Sequence, residues 1–161
     1  MMIKKYSEFI IENNNSKDIN WVKPHFEEEE EEIMNHFLTW ISEIYDIQND
    51  EDYYQLITDI HYAYDNAKIE VLTNEEWSQM ENTDSNDMKT EEDIYNTIGG
   101  YGRSKDRILK HSIEPLRNNS TIQTPIVAYI KDYPPYLVSG NTRLSACKVI
   151  GITPMVTKII I

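Results

Sequence analysis

Gly140-Asn141-Thr142-Arg143, preceded by Ser139, is the stretch whose residue types and spacing suit the binding of an anion. Glycine lets a ligand come close to the backbone, arginine presents a fixed fork of donors, and the hydroxyls of Ser139 and Thr142 lie within reach of the same turn. If a helix opens here, its unpaired N–H groups and the positive end of its dipole favour a phosphate. Two plainer readings stand beside this one. Ser139 or Thr142 is only an N-cap, and Arg143 is a helix-start arginine paired with an acid from the N-terminal half.

The elements that must position these residues are marked in the sequence. Residues 136–138 read as a short buried strand that Gly140 ends, and residues 154–161 as a second β-rich strand. Between them, Leu144, Cys147 and Ile150 are spaced by three, Ala146 and Val149 widen the apolar stripe, and Gly151 stands at a left-handed C-terminal cap. This predicts a helix over residues 141–150. The link is long enough for a crossover, so the two strands are expected to lie parallel in one sheet with the helix across them.

From Arg103 onward the chain resembles the N-terminal domain of ParB partition proteins and the related sulfiredoxins. The resemblance rests on Arg103, a short helix over 108–113, Ile122-Gln123-Thr124-Pro125-Ile126-Val127 as the "Q-P-I-x-V" strand, and Gly140, Arg143 and Ala146 as the G-x-x-R-x-x-A helix start. It covers about the last 60 residues. It implies a ParB/sulfiredoxin-like strand-helix-strand unit and phosphate or nucleotide binding by Ser139, Gly140, Asn141, Thr142, Arg143 and Arg103. The implied ligand is a nucleotide, with Mg²⁺, or a phosphorylated small molecule, and the implied activity class is nucleotide hydrolysis or phosphate transfer. Asn141, Thr142 and Ser145 stand where ParB proteins carry Glu and two further Arg, leaving fewer positive groups for a triphosphate. Asn141 also stands where sulfiredoxins carry the catalytic Cys. No helix-turn-helix follows within the sequence, so DNA partition by the ParB route is not expected. A ParB-like nuclease ranks below nucleotide binding because the basic patch is small.

Charge is distributed unevenly. Residues 1–100 hold 25 Asp and Glu against 6 Lys and Arg, whereas residues 101–161 hold 3 against 9. A phosphate-bearing ligand therefore belongs to the second half, and DNA binding is disfavoured overall. The acidic half is expected to attract either the basic half or a basic host or viral protein, which makes a non-catalytic interaction module the alternative function. Arg103, Lys105 and Arg107 form a second candidate phosphate-facing cluster.

In the first half, residues 27–32 are six consecutive glutamates, read as a solvated helix start before the stripe Ile33, Phe37, Trp40, Ile41 and Ile44. A second helix is expected from near Glu51, with Tyr53, Leu56, Ile57, Ile60, Tyr64 and Ala67 inward, giving a helical hairpin. Residues 21–26 read as a linker, 68–72 as a strand, and Thr73 with Glu76 as a capping box. Residues 82–89 read as a mobile polar loop, 90–98 as a helix, and Ser104 as the cap of the next one. The fold class is therefore α+β: an acidic helical region over 1–67 before a small mixed α/β domain over 68–161.

Composition excludes several classes. The histidines show no ligand-like spacing with Cys147, so no structural zinc site is expected, and Cys147 on the apolar stripe reads as core. No P-loop is present, and the second half offers only Asp106, Glu114 and Asp132 as carboxylates for catalysis. No apolar run approaches a membrane span, and the default location is the cytoplasm. Residues 2–12 resemble the leader of T4-like bacteriophage head proteins, clipped after a sequence such as Ile10-Ile11-Glu12. That resemblance implies a phage protein of the host cytoplasm or the phage head.

Overall fold

The computed structural model describes residues 18–161, apart from the Ile41 side chain, and the leader expected over residues 2–12 lies outside them. The fold is α+β and is organised around a mixed four-stranded sheet of β2 (Lys68–Val71), β4 (Ile126–Tyr129), β5 (Tyr136–Ser139) and β6 (Met155–Ile160). The strand order is β2-β6-β4-β5, with β4 parallel to β6 and antiparallel to β5, and β2 antiparallel to β6. The strands flanking the 141–150 helix are thus neither parallel nor neighbours, contrary to the sequence expectation. A turn at residues 130–135, closed by Tyr133 N–H on the Ile130 carbonyl with Asp132 at φ 69°, reverses the chain after β4. β5 therefore runs back beside β4, and the helix that follows carries the chain over β4 to its far side.

A second pairing joins β1 (Asn20–Val22) to β3 (Thr121–Gln123) in parallel, Trp21 opposite Ile122. The sequence suggested a linker at the first and one strand from Ile122 to Val127 at the second. Pro125 divides that strand. Having no N–H to give to a ladder, it leaves its carbonyl to accept from Thr157 N at 2.8 Å, and pairing resumes at Ile126.

Both faces of the four-stranded sheet are buried, which its Ile126-Val127-Ala128 run requires. Ile126, Ala128, Val138 and Ile159 pack against a hairpin of α1 (Phe26–Ile44) and α2 (Asp50–Asp65), through Phe26, Ile33, Phe37, Leu56, Ile60 and Tyr64. Ile33, Phe37 and Ile60 are wholly buried, each stabilising the fold by about 1.5–3 kcal/mol. Trp40 stacks on Tyr136 with ring centroids 4.0 Å apart. At the far end of the hairpin Lys23 Nζ donates to the Tyr64 and Ala67 carbonyls at 2.5 and 3.1 Å, placing a cation at the C-terminus of α2. The acidic hairpin is thus one layer of the same fold, and the boundary near residue 67 marks a change of element.

Val127, Leu137 and Val156 point to the other face, where they meet α3 (Asn74–Gln79), α4 (Glu91–Gly99) and α7 (Asn141–Ile150) through Trp77, Ile94, Ile98, Leu144 and Cys147. Between α4 and β3 one continuous helical stretch comprises α5 (Lys105–Ile108), a π segment (Leu109–Ile113) and α6 (Glu114–Arg117), and it buries Ile108, Ile113 and Leu116. The capping box of Thr73 and Glu76, the Ser104 cap and the left-handed Gly151 at φ 80° are all present. Residues 82–89 are pinned, where the sequence suggested a mobile loop. Ser85 is fully buried and accepts from Trp77 Nε1 at 2.7 Å, and the Asn82 amide pairs with both the N–H and the carbonyl of Leu137 on the edge strand β5. A short polar segment of this kind is ordered by side-chain bonds that leave no periodicity in the sequence.

Lys158 on β6 donates to Glu76 Oε1 at 2.8 Å, joining the sheet to α3. Burial alone would raise the Glu76 pKa, but the bonds from Lys158 and Thr73 outweigh it and hold this carboxyl below its ordinary value. A depressed carboxyl pKa contributes stability above the unfolded-state pKa that is lost as pH falls through the folded one. Urea unfolding should therefore show wild-type stability declining below about pH 4 more steeply than that of Glu76→Gln. Parallel curves would remove the bond from the acid response.

Candidate functional site

A cleft of about 690 Å³ opens at the N-terminus of α7, where β5 ends. Its floor is Ser139 to Arg143. One wall is Glu28, Glu29 and Glu32 from the first turns of α1, and the other is Arg103, Arg107, Lys110 and His111 from the turn before α5, α5 itself and the π segment. The cleft therefore has an acidic and a basic side facing each other across a helix N-terminus. The π segment widens a helical turn and belongs to the basic wall, as such irregularities often do at sites.

Arg143 does not point freely into this space. Its Nη1 donates to the Gln123 and Thr124 carbonyls at 3.2 and 3.1 Å, and its Nη2 donates to Ser139 Oγ at 3.3 Å and lies 3.8 Å from Glu29 Oε1. Burial lowers the guanidinium pKa from its ordinary value, Glu29 and Glu32 oppose that shift, and Arg103 adds to it. Pairing with an acid from the N-terminal half, one of the plainer readings of the sequence, describes part of this environment.

Ser139 is likewise engaged, with its hydroxyl 2.6 Å from Glu29 Oε2 and 3.0 Å from Glu32 Oε2. One hydroxyl proton serves one carboxylate at a time, so the second carboxylate keeps acceptor capacity. Asn141 is occupied by the pinned loop: Oδ1 accepts from Thr83 Oγ1 at 2.8 Å and from Asp84 N at 3.1 Å, and Nδ2 donates to Asp84 Oδ2 at 2.8 Å. Gly140 sits at φ 102°, and a Cβ there would come within 2.8 Å of Pro125 Cα and Cβ. Its freedom from a side chain is thus required by the β3–β4 junction as well as by the left-handed conformation.

Three features remain open to a ligand. No side chain caps the first turn of α7. Arg103 Nη1 donates to Thr142 Oγ1 at 2.9 Å, which holds the guanidinium at that turn and leaves the Thr142 hydroxyl proton free to donate. Neither Arg103 nor Arg107 forms an ion pair among the described residues. Lys105, grouped with these two by sequence, instead lies over the Tyr95 ring at 4.6 Å. Cys147 is core, with burial pushing its thiol up to about 12.

The carboxylates of the cleft come from the run of glutamates; Asp106, Glu114 and Asp132, the carboxylates that the second half offers, do not line it. The signal was the phase of the apolar stripe. Glu29 precedes Ile33 by four residues as Ile33 precedes Phe37, so Glu29 continues the inward face while Glu27, Glu30 and Glu31 are exposed. Among the described residues, no group of three or more His, Cys, Asp or Glu is arranged to hold a metal ion. Glu29 and Glu32 would share a cation only with oxygens that a ligand brings.

Two substitutions separate packing from binding. Gly140→Ala should cost about 1–3 kcal/mol in urea unfolding without any ligand, through the contact with Pro125 and the positive φ. Arg143→Ala should destabilise as well, by about 1–3 kcal/mol for each buried acceptor left unpaired, so the fold does not tolerate it as a pure binding residue would. Wild-type stability in either variant would contradict the geometry. Compared with protein-family models, curated proteins and solved structures, the chain matches none.

Proposed function

We propose that the cleft binds a small phosphate-bearing ligand, a nucleotide or phosphorylated metabolite, with its phosphate at the backbone N–H groups of Asn141 to Arg143. The observation that carries this reading is the coincidence of an uncapped helix N-terminus with the Arg103–Thr142 pair in one cleft. The volume lies within the usual range of small-molecule sites. Arg103 and Arg107 supply charge-assisted donors, while Arg143 and Gly140 fix the turn that presents the amides. The resemblance of Arg103, Gly140, Arg143 and Ala146 to the ParB/sulfiredoxin pattern supports the same assignment.

The acidic wall narrows the ligand class. Glu28, Glu29 and Glu32 repel a bare anion but accept hydrogen bonds from a base or amine, or contact a Mg²⁺ ion carried by phosphates. A ligand with an anionic end and a donor-bearing or metal-bearing end therefore suits the cleft better than inorganic phosphate.

A thermal-shift panel of nucleotides and sugar phosphates, with and without Mg²⁺, tests the reading, and a ligand at 100 times its Kd stabilises by about 2.7 kcal/mol. For a ligand so found, Arg103→Ala should weaken binding by about 10- to 150-fold in calorimetry, the equivalent of a lost hydrogen bond to a charged group. Its unliganded melting temperature should fall by no more than the loss of the one bond to Thr142 accounts for, and by less than in Arg143→Ala. No stabilising ligand in the panel, or an affinity unchanged by Arg103→Ala, would reject the site; phosphate release in the same samples reads turnover.

A further inference from the structure

The outer face of α2 belongs to neither the core nor the cleft. The inward positions of this helix are Leu56, Ile60 and Tyr64, and the opposite stripe carries Glu51, Tyr54, Gln55, Thr58, Tyr62 and Asp65. Tyr54 and Tyr62 are 67% and 72% exposed, two turns apart on one side of the helix. From Phe26 to Asp65 the hairpin contains 13 Asp and Glu and no Lys or Arg. Nothing within α1 or α2 therefore neutralises Glu51, Asp59 or Asp65; Lys23 stands beside Asp65 and Lys68 borders Asp59 and Tyr62, so the field over this face is most negative along its N-terminal turns.

We propose that the outer face of α2 docks a lysine- and arginine-rich segment of a protein partner. The occupant follows from charge and shape together. A nucleic acid is repelled, and a metal ion is not held because the acids are strung along a helix rather than converging on one point. A basic polypeptide meets both features: its cationic heads pair with Glu51, Asp59 and Asp65, and its side-chain stems and guanidinium planes lie on the exposed rings of Tyr54 and Tyr62. Tyrosine supplies contact area with little loss of rotamer freedom, which is why it recurs at the centres of interfaces. The acids steer the encounter and the tyrosines fix its place, so the interaction weakens with salt while its location does not change.

The test is a ¹⁵N-detected titration of the full chain with octa-arginine, octa-lysine and octa-glutamate peptides at low and high salt. Octa-arginine should shift the α2 amides from Glu51 to Asp65, octa-lysine should do so more weakly, and octa-glutamate should not. A Tyr54→Ala/Tyr62→Ala double variant keeps the net charge and removes no buried group. It should bind octa-arginine at least tenfold more weakly with an unchanged circular dichroism spectrum. Equal affinity in the double variant, shifts spread over every acidic surface, or shifts confined to the Glu28–Glu32 wall would overturn the assignment. So would concentration-dependent shifts of the same α2 amides without peptide, which would place a second copy of the chain there.

Discussion

The guanidinium of Arg143 is the point at which four parts of the chain meet. It holds the carbonyls of Gln123 and Thr124 at the β3–β4 junction, the Ser139 hydroxyl at the end of β5, and Glu29 on α1, all from the first turn of α7. Each of those groups needs a partner once taken out of water, and a single planar cation with its donors in a fixed fork satisfies them together. Removing the side chain would leave buried acceptors on three elements. An interaction of this sort specifies an arrangement more than it adds stability, because desolvating the charges offsets much of their attraction.

Around that cation the layers take their places. Thr157 N–H on the Pro125 carbonyl sets where β4 lies beside β6, and the Thr124 and Thr157 hydroxyls, 2.6 Å apart, close the gap that the proline leaves. Gly140 packs directly on Pro125, so the turn that opens α7 is set against the same junction. The hairpin arrives on the opposite face with Glu29 and Glu32 over Ser139. The cleft is thus a consequence of packing: the acidic wall is held in place by the residues that also shape its floor, and the basic wall stands across from it on a separate helix.

Much of this was legible from local patterns. The hairpin, the strand over residues 68–71, the caps at Thr73, Ser104 and Gly151, and the helix after Gly140 follow from periodicity and short-range chemistry, which act within one or two turns. The sheet order was not legible, because whether β5 runs with or against β6 depends on how the 130–135 turn reverses the chain. β1 escaped notice for a related reason: three residues carry no pattern, and its partner β3 lies about a hundred residues away. The floor of the cleft was named from sequence, but not what its side chains touch. Arg143, Ser139 and Asn141 are held by several partners inside the protein, while Arg103 lines the cleft on a single bond to the buried Thr142 hydroxyl. The acidic wall was hidden by uniformity, since six glutamates in a row show their inward member only through the phase of Ile33 and Phe37.

The two arginines differ in their surroundings: Arg143 holds the turn, and Arg103 is the one proposed to meet the ligand. The most direct measurement is a ¹H–¹⁵N spectrum of the backbone amides and arginine Nε–H groups, recorded with and without the nucleotide or sugar phosphate that most raises thermal stability. Large shifts are expected for the amides of Asn141, Thr142 and Arg143 and for the Arg103 Nε–H, with the Arg143 Nε–H nearly still. A large movement of the Arg143 Nε–H signal with Arg103 unmoved, or ligand shifts that avoid the first turn of α7, would contradict these roles.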